Sequence, residues 1–289
     1  MKEPNIVILA GGVSSRMKIS VQPSVKIEPA LLIETRTKSK SMLGVGESAR
    51  PFLDYVLYNT EKAGYRNVVI VVGEKDPTIH EYYEQQGEKN QFKQLTILYA
   101  IQKIPDGRIK PLGTADALLE ALRLKQDWKG QCFTVCNSDN LYSVRAMKLL
   151  MEDDHENAMI GYNRSTLQFN RARIEAFSVI RKDTDGFLID ISEKPSPREI
   201  EKAKDANGRI GVSMNIFRFS YDKIFPLLES VPLHPVRQEK ELPHAVQMMV
   251  AKHPRSMFTI HLSEHVIDLT SQGDIPEVKE YLKREYPDF

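Results

Sequence analysis

The sequence predicts an α/β fold with a doubly wound, mainly parallel (mixed) sheet flanked by helices and followed by a β-rich second half. Three observations point there. Short β-branched runs alternate with amphipathic stretches through the first half. Each run closes on glycine or a polar turn, and hairpin signals gather in the second half.

The first run covers residues 6–10, inside NIVILAGGVSSRM (5–17). Its unbroken apolar character suits a parallel strand buried on both faces. Gly11 and Gly12 stop the strand where side chains would intrude. A loop there can turn several backbone N–H groups toward one anion, with Ser14, Ser15 and Arg16 adding donors. It has neither the GKS/GKT ending of a P-loop nor the GxGxxG spacing of a dinucleotide fold. An ordinary strand-to-helix turn is the alternative reading. Residues 18–41 form the least regular stretch, with Pro23, Pro29 and many lysines, and suit either a mobile lid or a weakly ordered loop.

A helix follows over 51–65, where Phe52, Leu53, Val56, Leu57 and Asn59 make one stripe. NVVIVV (67–72) is a strand ending at Gly73, and 77–87 reads as a polar surface helix. LTILYAI (95–101) is a strand, 113–125 a helix with Leu118, Leu119 and Leu122 inward, and 132–136 another strand. Such alternation implies right-handed crossovers and a ligand at the carboxyl ends of the strands. Further on, 173–181 and 187–191 read as strands around the turn Asp183-Thr184-Asp185-Gly186. Residues 211–219 form a strand, helices lie near 221–229 and 239–252, a late strand covers 257–262, and 275–284 is a closing helix. One domain over 1–289 is expected, with halves 1–140 and 141–289.

At 289 residues and 41% hydrophobic content, the chain can fill one large α/β core. Its 40 basic and 39 acidic residues leave a net charge of +1, which offers no global field to nucleic acid or an anionic membrane. Phosphate binding must therefore be local. The N-terminal apolar stretch is too short for a signal-peptide core or a membrane span, and no later segment resembles a span. Cys132 and Cys136 share a strand, about 13 Å apart and beyond disulfide reach. They have no companion at zinc-site spacing, so small buried hydrophobes in a reducing cytoplasm are the simplest reading. The seven histidines form no HExxH pattern or triad. His261 and His265 read as surface or packing residues.

Several segments then fall in a fixed order. They are LAGGVSSRM (9–17), KSML (40–43), PFLDYVL (51–57), GYRNVVIVVG (64–73), Gln102 followed by GTADAL (113–118), NSDN (137–140), EKP (193–195) and VSMNIFRF (212–219). On these the chain resembles, over nearly its whole length, the sugar-1-phosphate nucleotidylyltransferases, a Rossmann-like superfamily that makes nucleotide sugars. The resemblance implies transfer of a nucleotidyl group from a nucleoside triphosphate to a sugar 1-phosphate, with Mg²⁺ and release of pyrophosphate. It makes the first half the nucleotide-binding half and the second the sugar-phosphate-binding half. No nucleic acid or membrane partner is implied, and a homo-oligomer is compatible.

The resemblance also assigns roles. Leu9, Ala10, Gly11 and Gly12 would cradle the triphosphate, with Arg16 on its outer phosphates and Lys40 near the α-phosphate. Gln102, Gly113 and Thr114 would read the base, although Thr114 equally suits a helix cap. Asp139 and Asp268, the latter in HVIDLTS (265–271), would hold the metal. Asp139 equally suits a helix cap after Asn140, and either Asp268 or Asp274 could cap the last helix. Glu193 and Lys194 would take the sugar hydroxyls and phosphate, against the alternative of a surface pair before a proline turn. Asn215, on an apolar strand, would need polar partners that a sugar can supply. Lys40 follows Arg16 by 24 positions, far more than is usual in the family, and Ser39 replaces a customary proline. Three other readings stand beside this one: a cytidylyltransferase acting on an alcohol or choline phosphate, a nucleotide-sugar-dependent glycosyltransferase, and a non-catalytic paralogue.

Overall fold

β1 (Asn5–Leu9) opens the chain, followed by α1 (Pro29–Thr37), α2 (Phe52–Ala63), β2 (Asn67–Gly73) and α3 (Thr78–Gln86). Next come β3 (Thr96–Gln102), α4 (Thr114–Leu124), β4 (Cys132–Asn137), the two-residue β5 (Asn140–Leu141) and α5 (Val144–Glu152). The chain continues with β6 (Ala158–Asn163), α6 (Arg171–Ala176), β7 (Val179–Lys182), β8 (Leu188–Ser192), α7 (Pro197–Lys202), β9 (Gly211–Ser220) and α8 (Tyr221–Ser230). It closes with α9 (Leu242–Lys252), β10 (Phe258–Leu262), β11 (Ile267–Asp268) and α10 (Ile275–Glu285). This computed structural model describes residues 3–12, 17–18, 27–86 and 92–289.

Among the described residues, both halves share one nine-stranded sheet with the main order β10-β6-β9-β4-β1-β2-β3, and the β7–β8 hairpin attaches to β9. β1 runs parallel to β2 and β4, and β2 parallel to β3. β9 is antiparallel to both β4 and β6. The sheet is therefore mixed, as the sequence predicts. A separate antiparallel ribbon pairs β5 with β11.

Strand alternation divides the core in two. Ile6, Ile8, Val68 and Ile70 pack in one cluster with Phe52, Val56 and Leu57 of α2 and Met147 and Leu150 of α5. Val7, Leu9, Val69 and Val71 belong to the other, with Leu118, Leu119 and Leu122 of α4 and residues of α8 and α9. The apolar runs of β1 and β2 are thus the runs of strands covered on both faces.

The structure departs from the sequence reading in several places, the short β5, α7 and β11 among them. Part of the irregular 18–41 stretch is the helix α1, started by a proline in its first turn and burying Leu31 and Thr35 four residues apart. Residues 171–176 are helical rather than extended. Asn170 caps them, its side chain accepting from the Arg173 N–H at 2.9 Å, and the strand begins only at Val179. α5 and β6 were both unread, although Ser143 supplies a cap to Ala146 N at 3.0 Å.

Gly161 in β6 shows how tightly the sheet is covered. A β-carbon there would lie 2.7 Å from both Ile180 Cδ1 and Thr259 Cγ2. Gly161→Ala should cost about 1–3 kcal/mol of stability through overpacking, read as a lower thermal midpoint. An unchanged midpoint would show that Ile180 and Thr259 move aside freely.

Candidate active site

The parallel strands deliver their following loops to one edge. Ala10 N donates to Val71 O at 2.9 Å, and Ser138 N donates to Leu9 O at 3.1 Å. The turns after β1 and β4 are thereby locked side by side. Between them opens a cavity of about 390 Å³ lined by Leu9, Ala10, Gly11, Gly12, Lys40, Gln102, Gly113, Thr114 and Asp139. Glu193 and Asn215 reach it from the second half. Eleven of the fourteen residues singled out from the sequence meet here. Arg16 lies outside the described residues.

Gln102 is almost wholly buried, 2% exposed, and its amide is committed. Nε2 donates to Gly113 O at 2.8 Å and to Asp116 Oδ2 at 2.9 Å. Two acceptors fix the amide orientation and turn Oε1 toward Gly11. A β-carbon on Gly11 would sit 3.0 Å from that oxygen. Gln102 thus holds the Gly113 turn by a hydrogen bond and leaves little room for a side chain at Gly11. Gly113 holds φ +109°, and a β-carbon would come 2.6 Å from Lys240 O, so both conformation and space call for glycine. Thr114 does not cap α4 through its side chain; its Oγ1 accepts from Leu242 N at 2.9 Å.

Lys40 sits in a single 3₁₀ turn, Lys40–Met42, and its ammonium pairs directly with the Asp139 carboxylate. Asp139 is not the cap of the following helix, because Ser143 takes that place. Asp268 lies outside the cavity lining but beside Asp139: β11 pairs Asp268 with Asn140, and Leu269 N donates to Asp139 O at 2.8 Å. Burial first, and then the negative charge of Asp139, raise the Asp268 carboxyl above its usual range. Arg173 opposes this, its Nη2 2.8 Å from Asp268 Oδ2, and Thr270 Oγ1 donates to Oδ1 at 2.5 Å. Asp274 stands at the N-cap position of the last helix but makes no side-chain cap bond to it. Its carboxylate accepts from Ser271 N at 2.7 Å and Thr270 N at 2.9 Å, closing the capping box of the 3₁₀ turn before the helix.

Asn215 has φ +55°, in the left-handed region, within a stretch of β9 where the register to β6 shifts. The kink gives this polar residue a place in the cavity wall. Glu193 pairs with Arg237, whose Nη2 also donates to Glu241 Oε2 at 2.6 Å. Burial, then the charge of Glu193, raise the Glu241 carboxyl. Lys194 is exposed, has φ +45° and is not part of the lining.

Arg237, Glu239, Glu241 and Lys110 line the cavity without having been singled out from the sequence. They lie on two connecting segments clipped together where Lys240 N donates to Leu112 O and Ala115 N to Lys240 O. The charge cluster RQEKE before the helix over 242–252 could have signalled Arg237, Glu239 and Glu241, but not Lys110.

The sequence comparison decides the family. A family model described as nucleotidyl transferase matches residues 32–264. The chain belongs to the nucleotidyl transferase family. The match starts within α1, so Gly11 and Gly12 lie outside it.

Among curated relatives, a glucose-1-phosphate adenylyltransferase of Corynebacterium jeikeium is 28% identical over 56% of this chain and 39% of its own length. Glucose-1-phosphate adenylyltransferase 1 of Vibrio vulnificus is 25% identical over 76% of this chain and 49% of its own. The bifunctional protein GlmU of Staphylococcus epidermidis is 25% identical over 75% and 43%. This nucleotidyl transferase chain thus spans less than half the length of those relatives. A solved UDP-glucose pyrophosphorylase in complex with UDP-glucose shares the fold, with a TM-score of 0.69 and 18% identity over 99% of this chain and 100% of its own.

Beside the site, His265 packs edge-on to Phe169 at 4.7 Å, and its Nδ1 accepts from Gln168 N at 3.2 Å. Burial, then the nearby Arg173 charge, lower its pKa from 6.5 to about 4. The folded state therefore favours neutral imidazole. As pH falls, the unfolded chain protonates first, and the stabilisation present above about pH 6.5 is lost toward pH 4. Wild type should lose more stability over that range than His265→Gln, measured by urea midpoints; equal losses would remove His265 from the acid response.

Proposed function

We propose that this chain transfers a nucleotidyl group from a nucleoside triphosphate to a sugar 1-phosphate, giving a nucleotide sugar and pyrophosphate. The observation that carries the reading is the convergence on one cavity of the two glycine turns, Lys40 and Asp139 with Glu193 and Asn215 of the second half. Family membership and the kinds of relative found support it.

The reaction joins two anions. An oxygen of the sugar phosphate attacks the α-phosphorus while the bond to the β-phosphate oxygen breaks and pyrophosphate leaves. Catalysis of this kind is mainly alignment and charge stabilisation. Backbone donors at Gly11 and Gly12 suit the triphosphate, and Arg16 is the proposed guanidinium on its outer phosphates. Lys40 would exchange its Asp139 partner for the α-phosphate oxygens as charge grows there. The turn at Gly113, held by Gln102, lets backbone and Thr114 approach the base. Asn215 and Glu193 would hold the sugar hydroxyls. Arg237 in the lining, and Lys194 just outside it, are the proposed cations for the sugar phosphate.

Among the described lining residues, four acids (Asp139, Glu193, Glu239, Glu241) outnumber three bases (Lys40, Lys110, Arg237). Added positive charge is therefore needed to hold a triphosphate. Asp139 and Asp268 fit Mg²⁺, which takes one or two carboxylates and completes its shell with phosphate and water oxygens. The ion would shield phosphate charge and favour departure of pyrophosphate. No helix among the described residues is long and apolar enough to cross a membrane. The free Cys132 and Cys136 support a reducing cytoplasm as the compartment.

Pyrophosphate release from a matrix of triphosphates and sugar phosphates tests the reaction; no release with any sugar 1-phosphate would overturn it. In the active pair, Asp139→Asn should lower kcat at least about 100-fold, as expected when charge stabilisation is lost. Near-UV circular dichroism should stay unchanged, and near-wild-type turnover would remove Asp139 from the chemistry. Arg237→Ala and Lys194→Ala should each raise KM for the sugar phosphate more than KM for the triphosphate. A residue whose loss raises both equally does not hold the sugar phosphate.

A further inference from the structure

A second cavity, of about 580 Å³, shares none of its lining with the first. It lies beyond the carboxyl end of β6. Arg164 and Arg209 line it together with the apolar side chains of Leu167, Phe169, Ile174 and Ile210. Arg164 is partly buried, and its Nε is out of contact with solvent and without a hydrogen-bond partner. Among the described residues, no carboxylate pairs with its guanidinium. Burying part of a guanidinium without an acceptor is costly, and an anion in the cavity would supply one.

The rim adds charge that can be redirected. Arg209 stands 3.6 Å from Asp205, and Arg171 and Glu175, both in the cavity lining, pair at 2.7 Å. Exposed pairs of this kind are weak and easily exchanged for a stronger anion. Guanidinium forks match phosphate oxygens two at a time, while the apolar walls suit an organic body rather than a bare ion.

We propose that this cavity is a second ligand site, taking a small organic phosphate whose phosphate engages Arg164 and Arg209 and whose body lies against Phe169 and Ile174. α6 connects it to the first site. Arg171 and Ile174 face the cavity, while Arg173, from the same short helix, reaches Asp268 at 2.8 Å and Asp274 at 2.5 Å. A ligand pressed against α6 would act on the residue that holds Asp268.

Phenyl phosphate is a suitable probe, with phenol as its neutral control, titrated calorimetrically into the full chain without turnover. Arg164→Gln should weaken phenyl phosphate binding at least about tenfold and Arg209→Gln severalfold, the losses expected for charge-assisted bonds. Phenol should bind weakly and alike to all three proteins. Equal phenyl phosphate affinity in wild type and Arg164→Gln would overturn the site, as would absence of binding to wild type. Should Arg164→Gln fail to fold, unchanged affinity in Arg209→Gln overturns it equally.

Discussion

The parallel pairing of β1 with β4 is the constraint on which the site depends. Leu9 stands opposite Asn137, so Gly11 and Asp139 emerge two residues later at the same sheet edge. Two hydrogen bonds continue the ladder just past the strands and hold both turns. β2 and β3 extend the same logic: Gly73 pairs with Gln102, bringing the amide that holds the Gly113 turn beside Gly11. Had either register slipped by one residue, the apolar sets of the buried strands would exchange faces and the turns would separate. Burial on both sides of the sheet thus enforces the geometry of the chemistry.

The second half meets this edge by a different device. β9 runs antiparallel between β4 and β6, so its side chains would ordinarily continue a regular alternation past the cavity. The left-handed Asn215 interrupts that alternation and places an amide in the wall. Backbone strain of this kind costs on the order of 1–3 kcal/mol and persists where surrounding packing determines it. The hydroxyl of buried Tyr142 supplies part of that support, donating to Met214 O at 2.6 Å. Across the opening, Arg237 draws Glu193 and Glu241 together, so acids from two distant segments share one cation.

The sheet was largely legible because its strands are uninterrupted apolar runs with glycine at their ends. Helices whose stripes are dense, such as α2 and α4, were legible for the same reason. α1 was hidden by a lysine-rich neighbourhood although Pro29 signals a helix start, and α6 by a basic sequence whose only cue is Asn170. Gly11, Gly12, Gly113 and Asp139 sit in motifs just past strands or at a helix start, whereas Lys40, in a 3₁₀ turn, and Asn215, inside β9, were legible only through the order of the motifs. Arg237 had only its charge cluster as a cue and Lys110 had none, since their place depends on long-range contacts between connecting segments. Gln102 lines the cavity, and its commitment to Asp116 and Gly113 is a property of packing that sequence does not encode locally.

The long spacing between Arg16 and Lys40 has anchors of its own. Met17 is fully buried, and its carbonyl accepts from Gln272 Nε2 at 2.8 Å, while the same amide donates to Thr35 Oγ1 at 3.1 Å. Ile27 packs against the same core cluster as Met17, and α1 then leads to the turn carrying Lys40. Residues 19–26 are therefore joined to points that packing already holds. Doubling the length of such a segment adds only about 0.6 kcal/mol of closure entropy. The anchors at Met17 and α1, and with them the turn that carries Lys40, are held by their own packing and do not depend on the length of chain that joins them.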